Sequence, residues 1–218
     1  LVHRNELIDK NFSPKNYTSE RIWATANDGT LVPVSLVYKN GIDTKKAPLL
    51  LYGYGSYGIT IPDQFSATRL SLLDRGFVFA AAHIRGGKYL GEEWYQNGKF
   101  EKKRNTFTDF INCAEYLGMK GYCDPNKIYA QGGSAGGLLM GAVTNMAPYL
   151  FKGIISQVSF VDVVSTMLDE EIPLTVGEYD EWGNPNEEKY YYYMLSYSPY
   201  DNIKPTYYPA ILMTTGYH

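Results

Sequence analysis

The sequence is most informative at Ile128-Tyr129-Ala130-Gln131-Gly132-Gly133-Ser134-Ala135-Gly136-Gly137, where an apolar segment runs into glycines that flank one serine. We expect a strand over residues 128–131 and a helix over residues 135–145. A sharp strand-to-helix turn exposes a serine hydroxyl above a sheet, and small neighbours let the adjacent backbones approach closely. The segment therefore predicts a nucleophile elbow with Ser134 as nucleophile, in preference to an ordinary glycine-rich turn.

Strand-like and helix-like segments alternate on both sides of this turn. Residues 21–26 and 31–38 predict a hairpin, because Asn27-Asp28-Gly29 between them is typical of a tight turn. Further strands are expected at 49–52, 77–82, 154–158 and 211–214, and helices at 66–75, at 106–118 with Thr106 as cap, and around the run Tyr190 to Tyr193. The alternation predicts an α/β fold with a mostly parallel sheet and helices on both faces.

Length and composition narrow the class of protein. The 218 residues suffice for one α/β domain, and 44% hydrophobic with 20% charged residues is ordinary for a soluble globular protein. A net charge of −3 gives no electrostatic basis for nucleic-acid binding, and no apolar run approaches the roughly 20 residues that span a bilayer. Cys113 and Cys123 are too few for a disulfide scaffold, so we expect a reducing compartment and a cytoplasmic location. We expect neither a metal nor a cofactor.

A second glycine pattern suggests a dinucleotide-binding function. Gly53, Gly55 and Gly58 have the spacing of a dinucleotide-binding turn directly after a predicted strand. Such a site needs a helix to begin there, but Ile59-Thr60-Ile61-Pro62 postpones any helix through β-branched residues and a proline. We therefore interpret these glycines as a loop and not as a nucleotide site.

Several segments, in the expected order along nearly the whole chain, resemble the oligopeptidase B enzymes of the prolyl oligopeptidase family of serine peptidases. The matching segments are Gly132 to Gly137 with Leu138-Leu139-Met140-Gly141, Leu49-Leu50-Leu51-Tyr52-Gly53-Tyr54-Gly55-Ser56-Tyr57-Gly58, His83-Ile84-Arg85-Gly86-Gly87, Gln157-Val158-Ser159-Phe160-Val161-Asp162, Thr166-Met167-Leu168-Asp169, Glu181-Trp182-Gly183-Asn184-Pro185 and Ser196-Tyr197-Ser198-Pro199-Tyr200-Asp201-Asn202. The resemblance implies an α/β-hydrolase fold and a hydrolase that acts on peptides.

The resemblance also implies roles for individual residues. The Tyr54 hydroxyl and the backbone N–H of Ala135 would be the oxyanion donors, with Tyr57 as a competitor for a pocket role. Such enzymes cleave short basic peptides after Arg or Lys, which requires a carboxylate in the primary pocket because a buried cation needs an opposite charge. Glu178 is the expected acid and Asp180 a supporting one. The alternative is that these acids form a solvated loop.

Phe160 matches a wall of the same pocket. A second subsite in relatives often carries two acids where this chain has Pro62, Asp63 and Gln64, so a preference for paired basic residues is not predicted. The three histidines are His3, His83 and His218, and His83 matches a family position without a catalytic role.

The resemblance places the catalytic Asp directly after the segment that ends at His218, and the catalytic His further on. We therefore expect residues 1–218 to be a partial catalytic domain, preceded in the parent protein by a propeller domain and truncated before the last strands. The fragment alone is expected to be inactive. Residues 210–214 would then form an apolar edge that pairs with the remainder of the parent chain or with a second copy.

Two other functions are compatible with the same elbow. An esterase of the same fold would not need Glu178. A non-catalytic binding module would keep the fold without a reactive serine. The exchange Glu178→Gln separates the esterase from the peptidase, and labelling of Ser134 by a fluorophosphonate separates both from the binding module.

Overall fold

The computed structural model describes residues 12–62 and 64–216, and in them seven strands, seven α-helices and four short 3-10 helices. The strands are β1 (Tyr17–Thr25), β2 (Leu31–Lys39), β3 (Leu49–Tyr52), β4 (Val78–Ala82), β5 (Ile128–Gly133), β6 (Gly153–Gln157) and β7 (Ala210–Thr214). The helices are α1 (Ala67–Leu73), α2 (Glu92–Gln96), α3 (Arg104–Met119), α4 (Ala135–Met146), α5 (Val163–Leu168), α6 (Thr175–Trp182) and α7 (Glu188–Leu195). His3, Asp63 and His218 lie outside the described residues.

The strands form one sheet in the order β1-β2-β4-β3-β5-β6-β7. β1 and β2 are an antiparallel hairpin, and β2 pairs antiparallel with β4. All remaining pairs are parallel, from β4 through β3 and β5 to β6 and β7. The predicted α/β class with a mostly parallel sheet is confirmed, and so is the hairpin, whose turn has Gly29 at φ 83°.

Helices cover both faces of the sheet because the central strands are apolar on both sides. On one face Leu49 and Leu51 of β3 pack in the main core with side chains of α3 and α4 such as Phe110 and Leu139. On the other face Leu50 lies in a smaller cluster with Phe79 and Ala81 of β4 and Leu73 of α1. Alternate residues of one strand therefore contact opposite layers, and the parallel strands direct their carboxyl ends to one edge.

The structure differs from the sequence-based expectation at several helices. α3 begins at Arg104, so Thr106 lies inside the helix and does not cap it. Its hydroxyl donates instead to the carbonyl oxygen of Arg85 at 2.8 Å, which ties α3 to the loop after β4. The helix expected around Tyr190 to Tyr193 is present as α7. Three short helices, α2, α5 and α6, were not predicted.

The last strand has an unusual environment. β7 lies at an edge of the sheet, and its five residues are all exposed. Leu212 and Met213 are 58% and 59% exposed, although strand residues of this type are normally buried. Within residues 12–62 and 64–216, none of the helices has the length and apolar character needed to cross a membrane.

Candidate active site

Ser134 lies at the point where β5 ends and α4 begins. Its backbone has φ 56° and ψ −119°, a combination that is unfavourable for any residue with a side chain. The Ser134 N–H donates to the carbonyl oxygen of Gln157 at 2.8 Å, and the Ser134 carbonyl oxygen accepts from the N–H of Gly137 at 2.8 Å. Ser134 itself is exposed. The surrounding structure therefore holds a strained serine with its hydroxyl at the surface.

The glycines around Ser134 allow close backbone contacts. A Cβ added to Gly132 would lie 2.2 Å from the carbonyl oxygen of Gly136, and one added to Gly137 would lie 2.5 Å from Ser159 Oγ. A Cβ on Gly136 would lie 2.9 Å from the carbonyl oxygen of Gly53. The turn can therefore be built only with glycine at these positions, and the strand–serine–helix arrangement expected from the sequence is present.

Tyr54 follows β3 and contacts the serine. Its hydroxyl lies close enough to the Ser134 side chain to interact with it. Burial, the main cause, raises the pKa of Tyr54 above its usual value, and the interaction with Ser134 acts in the opposite direction. The phenol therefore stays protonated at neutral pH and can donate a hydrogen bond next to Ser134.

The backbone N–H of Ala135 is a second donor beside Ser134. Ala135 is the first residue of α4, where N–H groups have no acceptor within the helix. A hydroxyl donor and a backbone donor on either side of a nucleophile are the groups that stabilise the oxyanion of acyl transfer. The structure thus brings together the two residues that were predicted for this purpose.

Glu178 lies on α6 and is held among aromatic side chains. Its Oε2 atom accepts a hydrogen bond from the Tyr57 hydroxyl at 2.6 Å and another from Trp182 Nε1 at 2.9 Å. The Tyr57 ring lies 5.7 Å from the Trp182 ring and 6.4 Å from the Tyr54 ring. The Phe160 ring packs on Trp182 at 5.5 Å. Tyr57 therefore links the half-buried carboxylate to the tyrosine that contacts Ser134.

Two contacts place Glu178 and Phe160 near Tyr54 and Ser134. Tyr57 lies between Glu178 and Tyr54, because its hydroxyl donates to Glu178 Oε2 at 2.6 Å and its ring lies 6.4 Å from the Tyr54 ring. The backbone N–H of Phe160 donates to the carbonyl oxygen of Ser134 at 3.4 Å. The residues that the structure brings close together are Ser134, Tyr54, Ala135, Phe160 and Glu178, with the carboxyl group of Glu178 on one side.

Asp180 and Glu181 differ in burial, and Glu181 takes a position that the sequence analysis missed. Asp180 is exposed, because two residues along a helix turn the side chain by about 200° from Glu178. Glu181 is only 3% exposed and accepts from the Tyr57 N–H at 2.9 Å and the Tyr95 hydroxyl at 2.6 Å. The spacing of residues 178, 181 and 182 on one helical face was the available signal.

His83 belongs to a different part of the fold. It is the one histidine among residues 12–62 and 64–216, and it follows β4. Its Nε2 atom is 2.6 Å from Ser35 Oγ, and its ring stacks on Tyr89 at 4.0 Å. In the same described ranges, no group of three or more His, Cys, Asp and Glu side chains could hold a metal ion.

A cavity of about 510 Å³ also lies away from these residues. Its lining includes Val37, Leu70 and Phe79, beneath α1. The guanidinium of Arg69 covers the Phe79 ring at 4.1 Å. None of the residues predicted for catalysis or for the primary pocket lines this cavity, so its volume does not identify the catalytic centre.

The sequence matches one family model and is similar to relatives of known name. The model of the prolyl oligopeptidase family matches residues 63–218. The chain is 56% identical over 207 residues to dipeptidyl aminopeptidase BI of Pseudoxanthomonas mexicana and 51% identical over 210 residues to protease 2 of Moraxella lacunata. These matches cover 94% and 96% of this chain but only 29% and 30% of the two relatives.

Two solved structures of oligopeptidase B are similar to this chain in fold and sequence. Oligopeptidase B from Leishmania major superimposes with a TM-score of 0.91 at 53% identity, over 94% of this chain and 29% of that protein. Oligopeptidase B from Trypanosoma brucei, with covalently bound antipain, gives a TM-score of 0.90 at 52% identity. That match covers 93% of this chain and 29% of that protein. The sheet described above is therefore the catalytic α/β-hydrolase fold of these structures, represented in part.

Proposed function

This chain belongs to the prolyl oligopeptidase family, and from that membership we propose that it is part of the catalytic domain of a serine peptidase that is acylated at Ser134. The observation that carries the proposal is the exposed, strained backbone position of Ser134 between β5 and α4, with the Tyr54 side chain close to it. The trypanosomal relative, with covalently bound antipain, supports a mechanism that passes through a covalent adduct.

In the proposed reaction, Ser134 Oγ attacks the carbonyl carbon of the peptide bond while a general base takes its proton. The Tyr54 hydroxyl and the Ala135 N–H donate to the oxyanion that forms. The C–N bond then breaks, the departing amine receives the proton, and water hydrolyses the acyl-enzyme. We expect the base and its orienting acid from a part of the longer protein that this chain does not include.

We propose short basic peptides as substrates, with Arg or Lys in the primary pocket. Glu178 supports this assignment, because its carboxylate is half-buried beside Ser134 among Tyr57, Trp182 and Phe160. A cation that leaves water needs an opposite charge nearby, and the aromatic rings add cation–π attraction. A neutral side chain of the same shape gains neither effect.

Paired amide substrates test this specificity. In the longer protein, an arginyl amide should be cleaved about 100-fold or more faster, in kcat/KM, than the citrullinyl amide of equal shape. Glu178→Gln should remove most of that difference, and Ser134→Ala should abolish cleavage of both. Equal rates for the two amides, or a preference that survives Glu178→Gln, would refute the basic-residue assignment. If the protein is an esterase of the same fold, Glu178→Gln should leave kcat/KM for its ester substrates unchanged.

We also propose that residues 1–218 alone do not turn over substrate. His83 is engaged with Ser35 and Tyr89, so the described residues supply no imidazole to Ser134. Without a base, only weak residual catalysis from oxyanion stabilisation and binding remains. Robust cleavage of an arginyl amide by the 218-residue polypeptide would contradict this. Failure of a fluorophosphonate to label Ser134 in the longer protein would favour a non-catalytic binding module.

A second candidate concerns the mode of cleavage. The 56% identical relative is named a dipeptidyl aminopeptidase, whereas the resemblance in the sequence analysis implies an endopeptidase. Dipeptide release requires a free amino terminus two residues before the cleaved bond. An endopeptidase should cleave an acetylated arginyl peptide as well as the unblocked one, whereas loss of activity on acetylation would identify a dipeptidyl peptidase.

We further propose a cytoplasmic protein. Cys113 and Cys123 are both buried and free, which fits a reducing compartment. Cell fractionation tests the location. The partner we expect is the remainder of the parent chain or a second copy, and sedimentation velocity of the longer protein distinguishes a monomer from an oligomer.

A further inference from the structure

The buried carboxylate of Glu181 joins parts of the chain that are far apart in sequence. Its Oε1 atom accepts the N–H of Tyr57 at 2.9 Å, and its Oε2 atom accepts the Tyr95 hydroxyl at 2.6 Å. Lys103 Nζ lies 3.9 Å from Oε1. Glu181 on α6 therefore contacts the loop after β3, helix α2 and the turn before α3.

The loop after β3 needs such partners because its backbone is strained. Tyr57 has φ 58°, which is unfavourable for a residue with a side chain, whereas the neighbouring Gly55 adopts φ 74° without that cost. The N–H of Tyr57 is held by Glu181, and the carbonyl oxygen of Gly55 accepts from Lys103 Nζ at 2.6 Å. Ser56 Oγ accepts from the same amine at 2.7 Å. This loop also carries Tyr54, the proposed oxyanion donor.

Two acids on one face of α6 bind Tyr57, one at its backbone N–H and one at its side-chain hydroxyl. Glu181 accepts its backbone N–H, and Glu178, one helical turn earlier, accepts its hydroxyl at 2.6 Å. Trp182 adds an edge-on ring contact with Tyr57 at 5.7 Å. If Tyr57 leaves its strained conformation, its hydroxyl leaves Glu178 and the neighbouring Tyr54 shifts with the loop.

We propose that Glu181 is a positioning residue that holds the loop of Tyr54 and Tyr57 against α6, so that the oxyanion donor and the primary-pocket carboxylate keep one fixed relative position. This inference rests on the function proposed above. It assigns to Glu181 no contact with substrate, and it makes the backbone N–H of Tyr57 the group through which Glu181 acts.

The test uses the longer protein and two readouts. The first is kcat/KM for an arginyl amide, which depends on both Tyr54 and Glu178. The second is the rate constant for labelling of Ser134 by a small uncharged fluorophosphonate, which depends on Tyr54 but not on Glu178. Glu181→Leu fills the volume without an acceptor, and Glu181→Gln keeps the oxygen that accepts from Tyr57. Glu178→Gln and the core variant Leu117→Ala are controls.

We expect Glu181→Leu to lower both readouts about tenfold or more, because the donor and the pocket acid are displaced together. Glu181→Gln should recover both to within about threefold of the unaltered protein, since the acceptor remains. Glu178→Gln should lower only the amide readout. Leu117→Ala should lower the melting temperature and change neither rate by more than about twofold.

Other outcomes overturn the inference. Glu181→Leu behaving like Leu117→Ala would make Glu181 a general stability residue. A loss confined to kcat/KM for the amide would show that Glu181 acts on the pocket alone. If Glu181→Gln lowered both readouts as much as Glu181→Leu, the charge of Glu181 would matter and not its acceptor oxygen. An unaffected Glu178→Gln would refute the proposed specificity without touching the labelling comparison. No labelling of the unaltered protein would refute both proposals.

Discussion

Gly132 is the position in the turn around Ser134 where a side chain has least room. A Cβ there would lie 2.2 Å from the carbonyl oxygen of Gly136, and a backbone atom cannot move aside as a flexible side chain can. We expect Gly132→Ala to lower the melting temperature by several degrees and the rate of Ser134 labelling by about tenfold or more. Thermal unfolding and fluorophosphonate labelling measure the two effects.

Gly177 is the matched control for this substitution. A Cβ at Gly177 has no atom within 4 Å, and the residue lies inside α6. Gly177→Ala should leave labelling unchanged and should stabilise the helix by roughly 1 kcal/mol, because alanine loses less conformational entropy than glycine. Equal behaviour of the two alanine variants would contradict the close packing inferred at Gly132.

Asp180 and Glu178 should differ sharply in their effect on specificity. Glu178 faces the aromatic pocket, whereas Asp180 is exposed on the opposite side of α6. We expect Asp180→Asn to change kcat/KM for an arginyl amide by less than about threefold, because exposed charges are screened by water and salt. Glu178→Gln should have a far larger effect. A comparable loss in both variants would restore Asp180 as a supporting acid of the pocket.

The edge strand β7 should make the isolated 218-residue polypeptide prone to association. Its five residues are exposed, and an apolar edge with unpaired N–H and C=O groups is a template for pairing with another chain. We expect the 218-residue polypeptide to associate as its concentration rises. Leu212→Lys should weaken this association, because a charge on an edge strand disfavours pairing.

Tyr207→Lys is the control, since Tyr207 is 97% exposed but precedes β7. It adds the same charge outside the strand and should leave association unchanged. Sedimentation velocity over a range of concentrations measures the effect. Monomeric behaviour of the unaltered polypeptide at all concentrations would contradict the assignment of β7 as an unprotected edge.

The buried amine of Lys103 should make the stability of the whole domain depend on pH. Lys103 is about 1% exposed, and burial lowers its pKa to about 7, with the carboxylate of Glu181 opposing this shift in part. In the unfolded chain a lysine has a pKa of about 10.4. Between these values the unfolded chain binds a proton that the folded protein has released, so stability should rise with pH.

Lys103→Met removes this contribution. The free energy of unfolding of the unaltered protein, relative to Lys103→Met, should increase from pH 7 to pH 10 by at most about 1.4 kcal/mol per pH unit. Chemical denaturation at several pH values measures it, and Lys102→Met, at the exposed neighbouring lysine, is the control. A difference that is flat or falls with pH would show that Lys103 keeps its proton in the fold.

Local sequence features were sufficient for the elements that surround the nucleophile. The apolar segments of β3, β4 and β5 and the glycines beside Ser134 predicted strand, turn and helix within one or two residues of their observed bounds. These features are local, because an apolar run of strand length and a turn that excludes side chains depend on neighbours along the chain. The start of α3 was wrong, since Thr106 uses its hydroxyl for a contact with the carbonyl of Arg85.

The amino-acid sequence by itself determined the α/β class, the elbow at Ser134 and, by family resemblance, the candidate acid Glu178. Only the tertiary structure decided which face of α6 is buried, and with it that Glu181 lies inside and Asp180 outside. The hydrogen bond between Tyr57 and Glu181 joins residues 124 positions apart. The strain at Tyr57 and the burial of Lys103 depend on such distant contacts, because a helix of eight residues with acids on both faces is buried on one of them only when the rest of the fold packs against it.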